Sequence, residues 1–546
     1  MRIIRNISIH LNIWSILSIL FVILILSPNL SIILQFFSEP NENWEHIKQY
    51  MLKKYIINTL ILVVFTGLFT TLIGVSLAWI VTAYDFPFKR FLKWGLMLPL
   101  AIPPYIGAYT YHGILNYTGL IQSTLRNSFD ISVNQRYFDI MNMPGAIFIF
   151  TLFLFPYVYT ITRAFLEKQS ASMIENARIL GSNGWRIFFR IVLPISRVAI
   201  VGGVSLVILE LLNDYGVVKY FGIQTFSTAI FQTWFGLGDL TSAIKLAGTL
   251  MLLVLIILLL EKIIRGRRKY SYASSKIRPL QPNHLKGWKA SITTIYCFGI
   301  FSFAFLFPVI QLILWMFMTY EKVLSKEFYS LIGNSILVAS VSALLIVIIA
   351  LVIGNFTRLN NSIFAKIASK ITILGYSIPG AVIAIGVLTL FLDLDKALFG
   401  FYARLGMSPT LLLSTSLVML SFAYVIRFLA IGYNSIEAGF EKVGKNFTEA
   451  SRTLGMSVTK TFFKVDLKLI RGAVVGGFIL AWIEIIKELP LTLLLRPFNF
   501  ETLATKAFQY ASDEKIHEAA IPSLFIISIS ALLIFFFYKI LDKEPS

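Results

Sequence analysis

Long apolar runs alternate with short polar ones along the whole chain. Twelve runs, at 12–36, 56–83, 95–119, 144–166, 198–215, 241–263, 291–318, 332–356, 371–392, 409–433, 472–490 and 519–540, reach or approach the length of a spanning helix. Such a helix needs roughly 18 or more apolar residues. The pattern predicts an all-α polytopic membrane protein with about 12 transmembrane helices. Landmarks within these runs recur. Asn58-Thr59 returns as Asn334-Ser335, Pro103 as Pro379, Glu175 as Glu449, and Glu210 as Glu484. The polar stretch from Phe221 returns from Phe498. Six spans per copy give both copies one orientation. The expectation is therefore two parallel six-helix repeats about an axis along the membrane normal, with a pseudo-two-fold pore between them.

Composition agrees with this reading. Of 546 residues, 57% are hydrophobic and 14% charged, and the mean hydropathy is +0.77. A soluble chain carries about 25% charged residues. The formal charge of +20 would fit nucleic acid in a soluble protein. Here, with the amino terminus inside, about two-thirds of the Lys and Arg fall in cytoplasmic segments, and the acidic residues do not share that bias. This is the positive-inside pattern. It places both termini in the cytoplasm and makes a nucleic-acid partner unnecessary. Cys297 is the one cysteine, so no intramolecular disulfide and no Cys-based metal cluster can form. Arg2, Arg5 and the apolar run from Leu11 imitate a signal peptide, but no small-residue cleavage site follows. The run reads as a retained first span.

The repeat divides the chain. Residues 1–54 form a first helix and outer loop, 55–264 the first copy, and 265–290 a linker. Residues 291–330 form a seventh helix and outer loop, and 331–541 the second copy. The linker carries Arg265, Arg267, Arg268 and Lys269 and is broken by Pro279 and Pro282. Attraction to anionic membrane lipid accounts for its charge.

Between the fourth and fifth spans of each copy lies a basic amphipathic stretch. The first reads ENARILGSNGWRIFFRIVLPI from Glu175, the second EASRTLGMSVTKTFFKVDLKLI from Glu449. In each, a Gly follows the Glu by six residues: Glu175 to Gly181, and Glu449 to Gly455. Such a segment belongs on the cytoplasmic surface, with a face offered to a partner.

Two other features repeat. The third and ninth spans are interrupted at Pro103 and Pro379, and paired interruptions in transporters point to the substrate path. An ordinary kink is the alternative. The fifth and eleventh spans carry Glu210 and Asp214, and Glu484, Lys487 and Glu488. A charge at mid-bilayer costs about 2.5–3.5 kcal/mol on insertion scales, so these residues face a cavity, a partner or the outer surface. Asp214, Lys487 and Glu488 lie nearest the outer surface. Glu210, Asp214, Glu484 and Glu488, with Pro103 and Pro379, are the candidate translocation-path residues, and Glu210 and Glu484 are also candidate transient metal ligands, since hard cations take carboxylate oxygens. Arg163 and Arg427, near cytoplasmic span ends, have the reach to snorkel.

One motif misleads. GFEKVGKN, Gly439 to Asn446, approximates a phosphate loop, but Asn446 replaces the magnesium-binding hydroxyl and a membrane span precedes it. The sequence shows no hydrolase triad, so no catalytic residues are assigned.

The duplicated Glu-Gly stretches resemble the cytoplasmic "EAA" loop of the membrane subunits of ABC importers. The match includes Leu193-Pro194 downstream in the first copy; the second has Lys468-Leu469 there. The whole chain resembles the iron(III) ABC transporter permeases, on LAIPPYIGAYTY from Leu100, NDYGVVKYFGIQTFSTAIFQTWFGLGD from Asn213 and KELPLTLLLRPFNFETLATKAFQYASDE from Lys487. Asp214-Tyr215-Gly216 stands where family members often have Asp-Phe-Gly. The resemblance implies a type I importer (MetI-like) fold in a bacterial inner membrane. It implies coupling loops at Glu175, Ala177, Gly181, Glu449, Ala450 and Gly455, docked on a homodimeric ATPase that uses ATP and magnesium, with no cofactor held by this chain. A periplasmic or lipid-anchored iron-binding protein would deliver ferric iron. Related fused permeases carry thiamine, and unfused relatives carry polyamines, phosphonates or sulfate. A secondary transporter shares the span count but leaves the duplicated Glu-Gly stretches unexplained, and a membrane enzyme lacks a catalytic constellation.

Overall fold

The computed structural model describes residues 12–167, 172–265, 281–360, 362–404 and 411–541. Arg2, Arg5, Arg267, Arg268, Lys269 and Pro279 lie outside them. Among the described residues, eight helices are long and apolar enough to cross a membrane. They are α1 (Ile13–Phe36), α2 (Glu42–Ala83), α4 (Met143–Glu167), α5 (Gly184–Asn213), α6 (Leu240–Arg265), α7 (Trp288–Val323), α8 (Lys326–Leu359) and α11 (Leu417–Val443). A shorter helix, α3 (Pro104–Leu115), precedes α4. The ninth predicted span is a bent pair, α9 (Ile363–Ser377) and α10 (Gly380–Arg404), turning by 111° at Pro379. The eleventh, α12 (Arg471–Ile486), turns by 75° from the helical segment before it. The last helix is α13 (Ala520–Leu541).

The third predicted span is therefore not one helix. Pro99, Pro103 and Pro104 remove three backbone donors within six residues, and the chain answers with a 3-10 turn over Leu98–Ala101 before α3 begins. The ninth bends for the same reason at Pro379.

The contacts form two compact units, and neither follows the sequence halves. One unit comprises Met1–Tyr50, Ala229–Met251 and Leu324–Thr505. In it α11 packs on α8, α9 and α12, and α1 lies against α8, α9 and α10. The cap of α1 is Asn12, whose side chain accepts from Ser15 while Ser15 answers to the Asn12 backbone. Its far end is held by Lys245, whose Nζ donates to the carbonyls of Phe36 (3.0 Å) and Ser38 (2.6 Å). That contact explains a lysine inside a predicted span: it satisfies carbonyls that the end of a helix leaves open. Asn41 and Asn43 donate to Asp239 Oδ2 at 2.7 and 2.9 Å beside it.

The other unit comprises Met51–Thr228, Leu252–Val323 and Lys506–Ser546. Its centre is α4, packed between α2 and α5. Gly74 and Gly203 let both neighbours close on Val158, since a Cβ at either position would come within 2.8 Å of it. Small residues at such crossings permit the close backbone approach that packs membrane helices. α7 packs on α13 and α3. Tyr84–Asp85 pairs in parallel with Asn283–His284, and His284 Nδ1 lies 2.8 Å from Asp85 Oδ2.

Candidate functional site

The two Glu-Gly stretches fold alike. In the first, a helix over Ser172–Ile179 carries Glu175 and Ala177, the chain turns at Gly181, and Asn183 caps the helix that becomes α5. In the second, a helix over Asn446–Thr453 carries Glu449 and Ala450, the chain turns at Gly455, and Ser457 caps the next helix. Gly181 has φ +77° and Gly455 φ +85°. This is the left-handed region, which costs other residues roughly 1–2 kcal/mol. Each cap accepts from the backbone three residues on, at 2.9 Å from Arg186 and 3.3 Å from Lys460. Beyond each cap the helix widens into one π turn, over Phe188–Val192 and Phe462–Asp466.

The small residue inside each loop helix is buried: Ala177 in the first, Ser451 in the second. Ala450 holds the position of Asn176 and is exposed, as is Glu449, while Glu175 is half-buried. The leucines beside the turn glycines, Leu180 and Leu454, are each 83% exposed. Trp185 is exposed beside the first. Burying such a side chain stabilises by about 1.5–3 kcal/mol, so an apolar cluster left on a polar loop fits a protein partner.

The membrane carboxylates take two roles. Asp214 Oδ1 accepts from Val217 N at 2.8 Å and opens the short helix Gly216–Tyr220. Its repeat partner Glu488 accepts from Leu491 N (2.9 Å) and from Thr492 N (3.1 Å), and opens the helix Pro490–Leu495. Both are thus engaged as caps where the chain leaves a span. One turn earlier, Glu210 and Glu484 are half-buried. Glu484 pairs with Lys487 at 2.7 Å. Among the described residues no group of three or more His, Cys, Asp or Glu side chains is placed to hold a metal ion.

Pro103 and Pro379 are both buried, and two arginines read as snorkelling are instead buried, one of them at the break before Pro379. Arg427, 2% exposed, donates to the carbonyls of Tyr376 and Ile378. Arg163 donates to the carbonyl of Lys93, which also accepts from Tyr159 at 2.8 Å. Irregular backbone at membrane depth survives when its polar groups are satisfied inside the protein. A lone Arg in an apolar helix was the available signal; its target carbonyls, far along the chain, left none.

Comparison with known proteins places this architecture. Residues 70–268 and 346–545 each match the family described as the binding-protein-dependent transport system inner membrane component. The chain is 25% identical over 490 residues to the Fe(3+)-transport system permease protein FbpB 2 of Haemophilus influenzae, covering 88% of this chain and 89% of that one. It is 21% identical over 545 residues to the ferric transport system permease protein FbpB of Actinobacillus pleuropneumoniae, covering 95% and 77%. A shorter match, 30% over 149 residues, reaches the molybdenum transport system permease protein ModB of Escherichia coli, covering 27% of this chain and 62% of that one. With two copies of the domain across most of its length, two matching loops and interrupted spans in both copies, the chain belongs to the inner membrane components of binding-protein-dependent transport systems.

Proposed function

We propose that this chain is the permease of an ATP-driven importer that moves ferric iron across the bacterial inner membrane by alternating access. Similarity along most of the chain to two ferric permeases carries the choice of solute. Both termini lie in the cytoplasm, where the basic linker meets anionic lipid. A separate homodimeric ATPase uses ATP and magnesium; this chain holds neither, and no other cofactor. A periplasmic or lipid-anchored iron-binding protein docks on the outer segments around Phe221–Asp239 and Phe498–Glu518. Closure of the ATPase dimer draws the loops at Glu175–Gly181 and Glu449–Gly455 together, and Glu210, Asp214, Glu484, Glu488, Pro103 and Pro379 are the candidate residues of the path that the released ion takes. The exposed leucines beside both turn glycines support the docking role.

Uptake of radioactive iron(III) by cells with and without this chain, the ATPase being intact in both, tests the solute. Loss of uptake on deletion, restored by the wild-type chain, is the expected result. Unchanged iron uptake would move the solute to thiamine or another small molecule. Co-purification of an ATPase with the chain tests the transporter class.

A further inference from the structure

We propose that Arg358 is a positioning residue that ties the second coupling loop to α8, making the two loops mechanically unequal. The proposal rests on the coupling role given above. Arg358 lies one residue before the end of α8. Its Nη1 is 3.2 Å from Asp466 Oδ1, in the π turn that leads toward α12. Its Nη2 donates to Thr448 Oγ1 at 2.8 Å, in the helix that carries Glu449, and to the carbonyl of Gly444, just past the end of α11. The guanidinium carbon stands 4.6 Å from the centre of the Phe440 ring. Thr448 in turn donates to Asp466 Oδ1 at 2.6 Å. The side chains of Arg358 and Asp466 are 7% and 2% exposed. One guanidinium thus meets the segment before the loop helix, the helix itself and the segment after it.

Among the described residues, the first copy is held differently. The repeat spacing carries Arg358 to Thr82 and Asp466 to Val192, and neither is charged. Thr82 donates to Ala78 of its own helix at 2.7 Å. Among the described residues, the first loop rests on α2 through Trp79 and Phe188, ring centres 6.1 Å apart. Ring contacts tolerate sliding, whereas a buried ion pair beside two hydrogen bonds from one charged nitrogen holds a narrower geometry. The second loop and α8 therefore move as one body. Force from the ATPase reaches α11, α12 and α1, all packed on α8, by a direct route.

The test uses the full transporter, with ATPase and binding protein, in proteoliposomes. It reads uptake of iron(III) per ATP hydrolysed and the stimulation of hydrolysis by the loaded binding protein. Arg358→Met and, as a milder change, Thr448→Val should each lower uptake per ATP at least several-fold, with stimulation lost and the yield of assembled complex within twofold of wild type. Arg358→Lys should recover part of the ratio, and Thr82→Val should leave it unchanged. If Arg358→Met does not assemble, Thr448→Val and Arg358→Lys decide. Assembled variants with wild-type ratio and stimulation would overturn the proposal, as would a changed yield alone. A wild-type chain that binds no ATPase would instead sink the coupling role. A wild-type complex stimulated by its binding protein without iron uptake would sink only the choice of solute, and stimulation would then be the deciding reading.

Discussion

Arg427 reaches from the middle of α11 to the carbonyl of Ile378, the residue that precedes Pro379. The bend at Pro379 leaves carbonyls without helical donors, and the guanidinium donates to those of Tyr376 and Ile378. Arg427→Met should therefore destabilise the purified protein by about 2–3 kcal/mol, in the range of hydrogen bonds to charged groups. Thermal unfolding in detergent reads it, and Arg427→Lys should recover part of the loss. An unchanged midpoint for Arg427→Met would mean that the bend does not depend on this residue.

The turn glycines make a sharper prediction for function. Gly181→Val and Gly455→Val each force a β-branched residue to φ near +80°, although no neighbouring atom within 4 Å obstructs a Cβ there. The loop should rearrange, at a cost of roughly 1–2 kcal/mol. Uptake should fall at least tenfold while the protein remains in the membrane. Gly455→Pro should stop transport, because proline is confined to negative φ. Normal uptake by that variant would remove the coupling role from the loop.

Asp239 links acid stability to the end of α1. Burial raises its pKa, but hydrogen bonds from the Ser242 hydroxyl and backbone, Asn43 and Asn41 outweigh this and hold it below the ordinary carboxylate value. Its contribution is present above the unfolded pKa, about 3.9, and is lost as pH falls through the lower folded value. Between about pH 5 and pH 3 the wild-type unfolding midpoint should drop more steeply than that of Asp239→Asn. Parallel curves would show that the carboxylate contributes nothing through its charge.

The candidate path residues separate by role. Glu210→Gln with Glu484→Gln should reduce iron uptake while leaving ATPase co-purification intact. Glu488→Gln should act on stability first, since Glu488 caps the helix from Pro490. Full uptake by the double variant would make Glu210 and Glu484 structural.

The spans, the repeat and the two loops were legible because each has a local signature: apolar run length, steady spacing, or a glycine six residues after a glutamate. The cap roles of Asp214 and Glu488 were not legible, since the sequence places both near the end of a span but does not show which backbone donors they meet. Lys245 was legible as a charge within a span but not as a cap on α1, because Phe36 and Ser38 lie some two hundred residues away in sequence. The same holds for Arg358, just past the eighth apolar run, which no local pattern singles out. Its function depends on Asp466 and Thr448, about a hundred residues further on. The third span misled because its apolar run continues through three prolines that its backbone cannot ignore.

The membership of the two units bears on how the chain is made and divided. Residues before Tyr50 belong with a core that ends at Thr505, and residues after Lys506 belong with a core that begins at Met51. The ribosome must therefore deliver α1 to the bilayer long before its partners α8, α9 and α10 exist, and the first unit closes only once Thr505 has been made. Cutting the chain at the linker would yield two polypeptides of which neither contains a whole unit. Each should be unstable when expressed alone, and the pair should become stable and functional only when made together.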